Sequence, residues 1–225
     1  MNESARGVLF DVDGTLVDTN YLHAVSWWEA LRQNGYTVPM ARIHRAIGMG
    51  SDKLVDHLLG TDRDRGSDDT MRGAHLALYA TYWERLRPLP GAADLLRACA
   101  DRGLRVVLAS SASKKELGVL RSVLDADAAI HATTSKDDVG TSKPDPDIIA
   151  VALQAGGLAG DHALLVGDSV WDVQAAARAG IICIGVTCGG TSAAELREAG
   201  AVEVYDDPAA LCANLDRSAI AKIAR

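Results

Sequence analysis

Residues 7–18 read GVLFDVDGTLVD, and they place two carboxylates directly after a short apolar run. The run at 8–10 predicts a buried strand, which Gly14 is expected to end. Because side chains at i and i+2 of an extended chain point the same way, Asp11 and Asp13 are expected to face one site. Carboxylates this close repel unless a cation or a shared proton offsets the repulsion. The pair predicts a divalent metal ion, a nucleophile with a partner acid–base, or both. The alternative is a strand that enters an Asp-rich turn.

Length and composition indicate a globular protein. The chain has 225 residues, 48% of them hydrophobic, and a formal net charge of −7. This length is enough for one large core, or for a core with a small second module. The acidic balance argues against a nucleic-acid partner. No apolar segment approaches the roughly 20 residues of a membrane span, and the first residues lack a signal-peptide core. We therefore expect a cytoplasmic monomer or homodimer without a nucleic-acid or membrane partner.

Alternating apolar strands and helices predict an α/β fold with an insertion. From residue 91 onward, predicted strands at 104–109, 128–132, 163–166, 181–186 and 202–205 alternate with helices. This alternation is typical of a doubly wound parallel sheet. Between the first strand and residue 88 the chain shows helical patterns, at about 20–34, 40–47, 51–59 and 69–86. We predict a Rossmann-like core, residues 1–18 and 88–225, with an inserted α-helical cap domain, residues 19–87.

Polar residues also follow three later elements of this predicted core. Ser110 and Ser111 follow the second strand, Lys143 is held extended by the proline after it, and Asp168 follows the fourth strand, with Asp172 one helical turn later. Each has an ordinary alternative, a helix N-cap for the serine and for Asp168 and a solvated surface group for the lysine. The carboxyl ends of parallel strands share one edge of the sheet. The joint occurrence of these polar groups at that edge predicts that they form one site.

The chemistry of these groups suggests what the site would bind. Asp168 is placed to complete a metal site with Asp11, and hard oxygen ligands suit Mg²⁺. Lys143 is a compact cation suited to a phosphate group or to a neighbouring carboxylate. The hydroxyl and backbone N–H groups after the second strand could bind an anionic oxygen.

These motifs resemble those of the haloacid dehalogenase superfamily of hydrolases. Residues 11–15 (DVDGT) are similar to its first motif, Ser110 to the second, Lys143 with its proline to the third, and residues 167–169 with Asp172 to the fourth. The helical insertion resembles that of the subgroup containing phosphoglycolate phosphatase and β-phosphoglucomutase. The resemblance covers nearly the whole chain, and it implies a phosphoric monoester hydrolase.

The resemblance also implies a two-step phosphoryl transfer. Asp11 would attack phosphorus and form an aspartyl-phosphate, while Asp13 would protonate the leaving group and then activate water. Mg²⁺ would be bound by Asp11, the backbone carbonyl of Asp13, and Asp168, with Asp172 just behind these ligands. The phosphoryl oxygens would be held by Ser110, Lys143 and the backbone N–H groups of Val12, Asp13 and Ser111. The phosphoryl oxygens carry negative charge in the transition state, and cations and oriented hydrogen-bond donors stabilise that charge.

Two residues of the insertion are candidate substrate contacts. His23 lies twelve residues after Asp11, where it resembles a histidine of β-phosphoglucomutase, and it would touch Asp13 or the substrate. The alternative is a histidine packed at the hinge. Lys53 lies in a loop that looks like a specificity loop and could meet an anionic substrate group. The alternatives are a solvated lysine and a phosphonatase-type Schiff-base lysine, which would need a lowered pKa.

We therefore predict a Mg²⁺-dependent phosphatase that acts on a small phosphorylated metabolite. Asp13 favours phosphate chemistry over carbon–halogen cleavage, because the dehalogenases of the superfamily lack this second acid. A phosphosugar mutase is the first alternative function, although close mutase relatives carry Glu-Asp in the fourth motif where this chain has Gly167-Asp168. A phosphonatase is the second, and a non-catalytic metabolite sensor is the third.

Overall fold

A central sheet and its flanking helices make up the computed structural model, which describes residues 5–138 and 140–224. The strands are β1 (Gly7–Phe10), β2 (Arg105–Ala109), β3 (Ile130–Thr134), β4 (Ala163–Gly167), β5 (Ile182–Val186) and β6 (Glu203–Tyr205). The helices are α1 (Asn20–Gln33), α2 (Met40–Ala46), α3 (Ser51–Leu59), α4 (Asp68–Ala80), α5 (Ala92–Asp101), α6 (Lys114–Leu124), α7 (Asp147–Gly156), α8 (Val170–Arg178), α9 (Ala193–Ala199), α10 (Pro208–Ala213) and α11 (Ala219–Ile223). No helix among the described residues has both the length and the apolarity needed to cross a membrane.

The sheet is parallel, with the strand order β3-β2-β1-β4-β5-β6. β1 lies in the middle, where Leu9 is paired with Val107 of β2 and Leu165 of β4. The winding direction reverses between β1 and β4, and open α/β sheets bind ligands beyond the carboxyl ends of the strands at such a point. The predicted Rossmann-like, doubly wound fold is confirmed.

Both faces of the sheet are covered by helices, which explains why its central strands are apolar throughout. Val8 and Phe10 of β1 pack into one cluster with Leu95 of α5, whereas Leu9 packs into a second cluster with Ile149 of α7. The alternation follows from the period of two along a strand. All these side chains are buried, so the ends of β1 and β4 are held on a rigid support.

Helices α1 to α4 lie between β1 and β2 in the chain and have an apolar cluster of their own. Trp27 and Leu31 of α1 pack there with Ile43 of α2, Leu54 of α3 and Met71 of α4. A separate cluster is what a separately packed module requires. The division into a core and a cap at residues 19–87 stays a prediction.

Two predicted elements differ in detail from the observed ones. The helix predicted over 69–86 ends at Ala80 and is followed by a 3₁₀ turn, Trp83–Arg85. The hydroxyl of Thr81 donates to the carbonyl of Leu78 at 2.7 Å, a local bond that competes with the helical pattern. Near the end of the chain, the helix predicted over 208–215 stops at Ala213, and α11 was not predicted.

Candidate active site

The predicted site residues of the core meet beyond the carboxyl ends of β1 and β4. Asp11 directly follows β1, and its backbone N–H donates to Val166 of β4 at 2.9 Å. Asp168 directly follows β4, and Lys143 reaches the same place from the turn before α7. As whole residues, Asp11, Asp168 and Lys143 are each at most 4% exposed. The sequence therefore places three buried charged groups at the switch point of the sheet.

Lys143 is the fully buried cation of the site. Its Nζ lies 2.5 Å from Oδ1 of Asp11 and 2.8 Å from Oδ1 of Asp172. Burial alone would lower the pKa of Lys143, but the two carboxylates outweigh burial and raise it, so the side chain stays charged. The alternative of a solvated surface lysine is wrong.

The carboxylates of the site carry more negative charge than Lys143 balances. Asp11, Asp168 and Asp172 each offer an oxygen, and these atoms lie within 4.8 Å of one another. Burial raises the pKa of Asp11 to about 7, with repulsion from Asp172 and Asp13 adding to the effect and Lys143 opposing it. Burial and repulsion from Asp172 and Asp11 also raise the pKa of Asp168 well above its usual value. A buried cluster of hard oxygen donors with excess charge fits a Mg²⁺-like cation.

Hydrogen bonds fix the acids of the fourth motif. Asp168 accepts a hydrogen bond from Thr15 and one from Asn20, both at 2.8 Å. Asp172 accepts from the hydroxyl of Ser169 at 2.5 Å and faces Lys143 with its other oxygen. Asp172 is thus contacted on both oxygens, and its predicted place behind the metal ligands stays a prediction. The N-cap of α8 is Ser169, so the alternative of Asp168 as an N-cap is wrong.

The second motif contributes a buried hydroxyl. Ser110 is fully buried, and its Oγ accepts a hydrogen bond from the backbone N–H of Ala112 at 3.0 Å. The N-cap of α6 is Ser113, so the N-cap alternative for Ser110 is wrong. Ser111 lines the cavity described next. Val12 points into the core, and the predicted phosphate contacts of these residues stay predictions.

A cavity of about 320 Å³ opens above Asp11 and Asp13. Helices α1, α3 and α4 and the loop before α3 provide its largely apolar wall, with Trp27, Ile47, Met49, Leu54 and Leu76. Arg72 and Lys136 bring cationic side chains to the lining. The cavity therefore joins the acidic cluster to a space that fits a small anionic molecule.

Asp13 is linked to a pair of histidines, of which His23 is buried and His75 is half-buried. Nε2 of His23 lies 3.2 Å from Oδ1 of Asp13, and Nδ1 of His23 lies 3.2 Å from Nε2 of His75. The hydrogen bond with Asp13 outweighs burial and raises the pKa of His23, while His23 in turn lowers the pKa of Asp13. Burial lowers the pKa of His75 well below its usual value. The predicted contact of His23 with Asp13 is present.

His75 and two groups around this pair, Tyr79 and Glu116, were not predicted from the sequence. His75 and Tyr79 lie one turn apart on α4, and the ring of Tyr79 stacks on His23 with centroids 3.8 Å apart. Glu116 places Oε1 at 3.8 Å from Nε2 of His23. The sequence contains a signal for Glu116, because Ser113 and Glu116 have the S-x-x-E spacing of a capping box, which the structure forms.

Lys53 lies outside the described lining of the cavity. Its Nζ is 2.9 Å from Oδ2 of Asp145, and its side chain is 40% exposed. The hydrogen bond with Asp145 raises the pKa of Lys53, and Asp52 and Asp56 add to this. A Schiff-base lysine needs a lowered pKa, whereas the contact with Asp145 raises the pKa of Lys53. This contact therefore disfavours the phosphonatase alternative.

The chain is similar to known hydrolases over most of its length. A family model described as haloacid dehalogenase-like hydrolase matches residues 5–180. A phosphoglycolate phosphatase from Rhodospirillum rubrum is 31% identical over 216 residues, which are 92% of this chain and 89% of that protein. The crystal structure of a hydrolase from Pseudomonas syringae has a TM-score of 0.89 and 32% identity, covering 94% of this chain and 98% of that one.

A β-phosphoglucomutase from Clostridium difficile shares the fold, with a TM-score of 0.77 and 18% identity over 91% of this chain and 92% of that one. At 18% identity, this similarity shows a common fold alone. The family match, by contrast, spans the site residues of the core and strands β1 to β4. This chain belongs to the haloacid dehalogenase-like hydrolase family.

Proposed function

We propose that this chain is a Mg²⁺-dependent phosphatase that hydrolyses a small phosphomonoester through an aspartyl-phosphate on Asp11. The observation that carries the proposal is the buried group of Asp11, Lys143 and Asp168, whose Asp11 lines a cavity that Arg72 and Lys136 also line. Phosphoryl transfer needs little covalent chemistry from a protein beyond a nucleophile. It depends mainly on positive charge and oriented donors around the phosphoryl oxygens.

The metal would be held by Asp11, Asp168 and the backbone carbonyl of Asp13. When bound, Mg²⁺ would neutralise charge on the phosphoryl oxygens. Lys143 holds Oδ1 of Asp11 in place and adds a second positive charge. The other oxygen of Asp11 is the nucleophile that forms the bond to phosphorus.

The pair of Asp13 and His23 handles the proton of both steps. In the first step a proton passes from His23, whose pKa is raised by its contact with Asp13, through Asp13 to the leaving alkoxide as the bond from phosphorus to that oxygen breaks. In the second step, Asp13 takes a proton from the water that attacks the aspartyl-phosphate, which restores Asp11 and releases inorganic phosphate. His23, at 3.2 Å from Asp13, orients this carboxylate.

The substrate is a small phosphorylated metabolite in this proposal. A space of about 320 Å³ is at the small end of ligand pockets, and the similar phosphoglycolate phosphatase makes phosphoglycolate the first compound to test. Residues 19–87 act as the cap whose inner surface selects the rest of the molecule.

The position before Asp168 favours a phosphatase over a mutase. A Cβ added at Gly167 would lie 2.5 Å from Cβ of Asp172, so a side chain does not fit there without a shift. The glutamate that mutase relatives have at this position therefore has no place in this chain. This difference from the mutases supports water as the acceptor of the phosphoryl group in the proposed reaction.

The test is the release of inorganic phosphate by the purified chain from phosphoglycolate, phosphosugars, nucleotides and p-nitrophenyl phosphate. Each substrate is assayed with Mg²⁺ and with EDTA. We expect release from at least one small phosphomonoester, abolished by EDTA. Absence of release from every compound would refute the proposal, and conversion of a phosphosugar without free phosphate would identify a mutase instead.

A further inference from the structure

The turn that carries Lys143 is held from both sides. Within the turn, the backbone N–H of Asp145 donates to the carbonyl of Ser142 at 3.0 Å. On the core side, Arg178 of α8 donates to the carbonyl of Pro144 at 2.8 Å. On the other side the turn contacts the first turn of α3. The position of Lys143 therefore depends on two separate parts of the chain.

Helix α3 makes two polar contacts with this turn, one on each side of Lys143. The hydroxyl of Ser142 donates to Oδ1 of Asp52 at 2.6 Å. Nζ of Lys53 lies 2.9 Å from Oδ2 of Asp145. Asp52 and Lys53 are consecutive residues of α3. One movement of this helix would therefore make or break both contacts.

The packing between the two segments is close. A Cβ added at Gly50, the residue before α3, would overlap both Cβ and Oγ of Ser142. Ser142 is only 8% exposed. The backbone of the loop before α3 thus packs directly against the turn. The two polar contacts lie beside this close packing.

We propose that Asp52 and Lys53 are positioning residues that hold the Lys143 turn in its active arrangement when α3 rests on the core. The inference rests on the proposed function and deepens it, because docking of the predicted cap would then complete the charge arrangement at Asp11. Lys53 acts through Asp145, and Asp52 acts through Ser142. Neither residue touches the reacting atoms.

The first test is a charge reversal and its compensation. Lys53→Asp replaces the ion pair by repulsion and should lower kcat for phosphate release about three- to tenfold, the range expected for a partly exposed pair whose sign is reversed. KM should change less than kcat, since the substrate-lining residues are untouched. The double variant Lys53→Asp with Asp145→Lys should recover only part of the loss, because Arg178 lies 3.5 Å from Oδ1 of Asp145 and would repel a lysine there. Lys53→Arg keeps a cation for Asp145 and should stay within about twofold of the wild type. Lys222→Asp, at an exposed ion pair with Glu203, is the matched control and should leave kcat unchanged.

A second test does not depend on activity. In hydrogen–deuterium exchange, Lys53→Asp should speed exchange in peptides covering residues 141–147, and the double variant should restore part of the protection. Asp52→Ala should act in the same direction, whereas Asp52→Asn keeps an acceptor oxygen for Ser142 and should resemble the wild type.

The outcomes separate this inference from the proposed function. If the wild type releases no phosphate, the proposed function fails, and the exchange experiment still decides the coupling. Wild-type kcat and exchange in Lys53→Asp would overturn the inference while the phosphatase stands. A Lys53→Arg variant as slow as Lys53→Asp would overturn it too, because it keeps the cation that Asp145 contacts.

Discussion

Replacement of Lys143 by methionine should destabilise the protein strongly, because it removes the cation between two buried carboxylates. Lys143 is 0% exposed, and its Nζ lies 2.5 Å from Asp11 and 2.8 Å from Asp172. Methionine has a similar length and fills most of the same space. The main effect of the substitution is therefore to remove the positive charge that Asp11 and Asp172 share.

The size of this effect follows from the cost of an uncompensated buried charge. Removal of one partner of a buried ion pair typically costs about 3–5 kcal/mol. For a chain of this length, 1 kcal/mol lowers Tm by about 2–4 °C, so the expected decrease in Tm is roughly 6–20 °C. Mg²⁺ should reduce the difference, since a bound cation would supply part of the lost positive charge.

The assay is thermal unfolding followed by circular dichroism in EDTA, repeated with Mg²⁺. Lys222→Met is the matched control, because Lys222 is an exposed lysine whose Nζ lies 3.9 Å from Glu203, and its loss should cost at most about 1 kcal/mol. If Lys143→Met unfolds within about 2 °C of the control, the carboxylates do not depend on Lys143, and the reasoning about the buried charge cluster is refuted.

Asp168→Asn should raise Tm in EDTA, because it relieves repulsion within the acidic cluster. It should also abolish the stabilisation of about 5–10 °C that the wild type gains when Mg²⁺ is present at a hundredfold of its Kd; a full Mg²⁺ response in the variant would contradict the assignment of Asp168 as a ligand. Gly167→Ala should lower phosphate release and Tm together, since its Cβ would meet Asp172 at 2.5 Å; wild-type values for both would show that the site accommodates a side chain there. The pKa of Asp68 is lowered chiefly by its hydrogen bond with Arg63, so this ion pair contributes stability above about pH 4 that is lost as the pH falls further. Acid unfolding should therefore be shallower in Asp68→Asn, and identical acid curves for the variant and the wild type would contradict this.

Much of the fold could be predicted from local sequence patterns. The apolar run before Asp11 and the one before Asp168 each end at a carboxylate, and parallel strands bring such ends together whatever lies between them. The meeting of these two acids was therefore predictable. Even the contact between His23 and Asp13 was predicted, although only through the resemblance to a known family.

The contacts between α3, α4 and the core could not be predicted in the same way. Lys53 looked like a substrate contact because its charge and its loop suited one, yet Asp145, more than ninety residues away, binds it. His75 joins His23 only because α4 packs against α1. Such pairings depend on how two helices meet in space, which no local spacing in one sequence encodes.

The most direct test of the central claim is the rate of phosphate release by Asp11→Asn, measured with Mg²⁺ on the best substrate of the wild type. Asparagine keeps the shape of the side chain and removes the nucleophilic carboxylate. The account predicts a loss of at least about a thousandfold in kcat with retained folding by circular dichroism. A folded Asp11→Asn variant that releases phosphate within tenfold of the wild-type rate would contradict the assignment of Asp11 as the nucleophile.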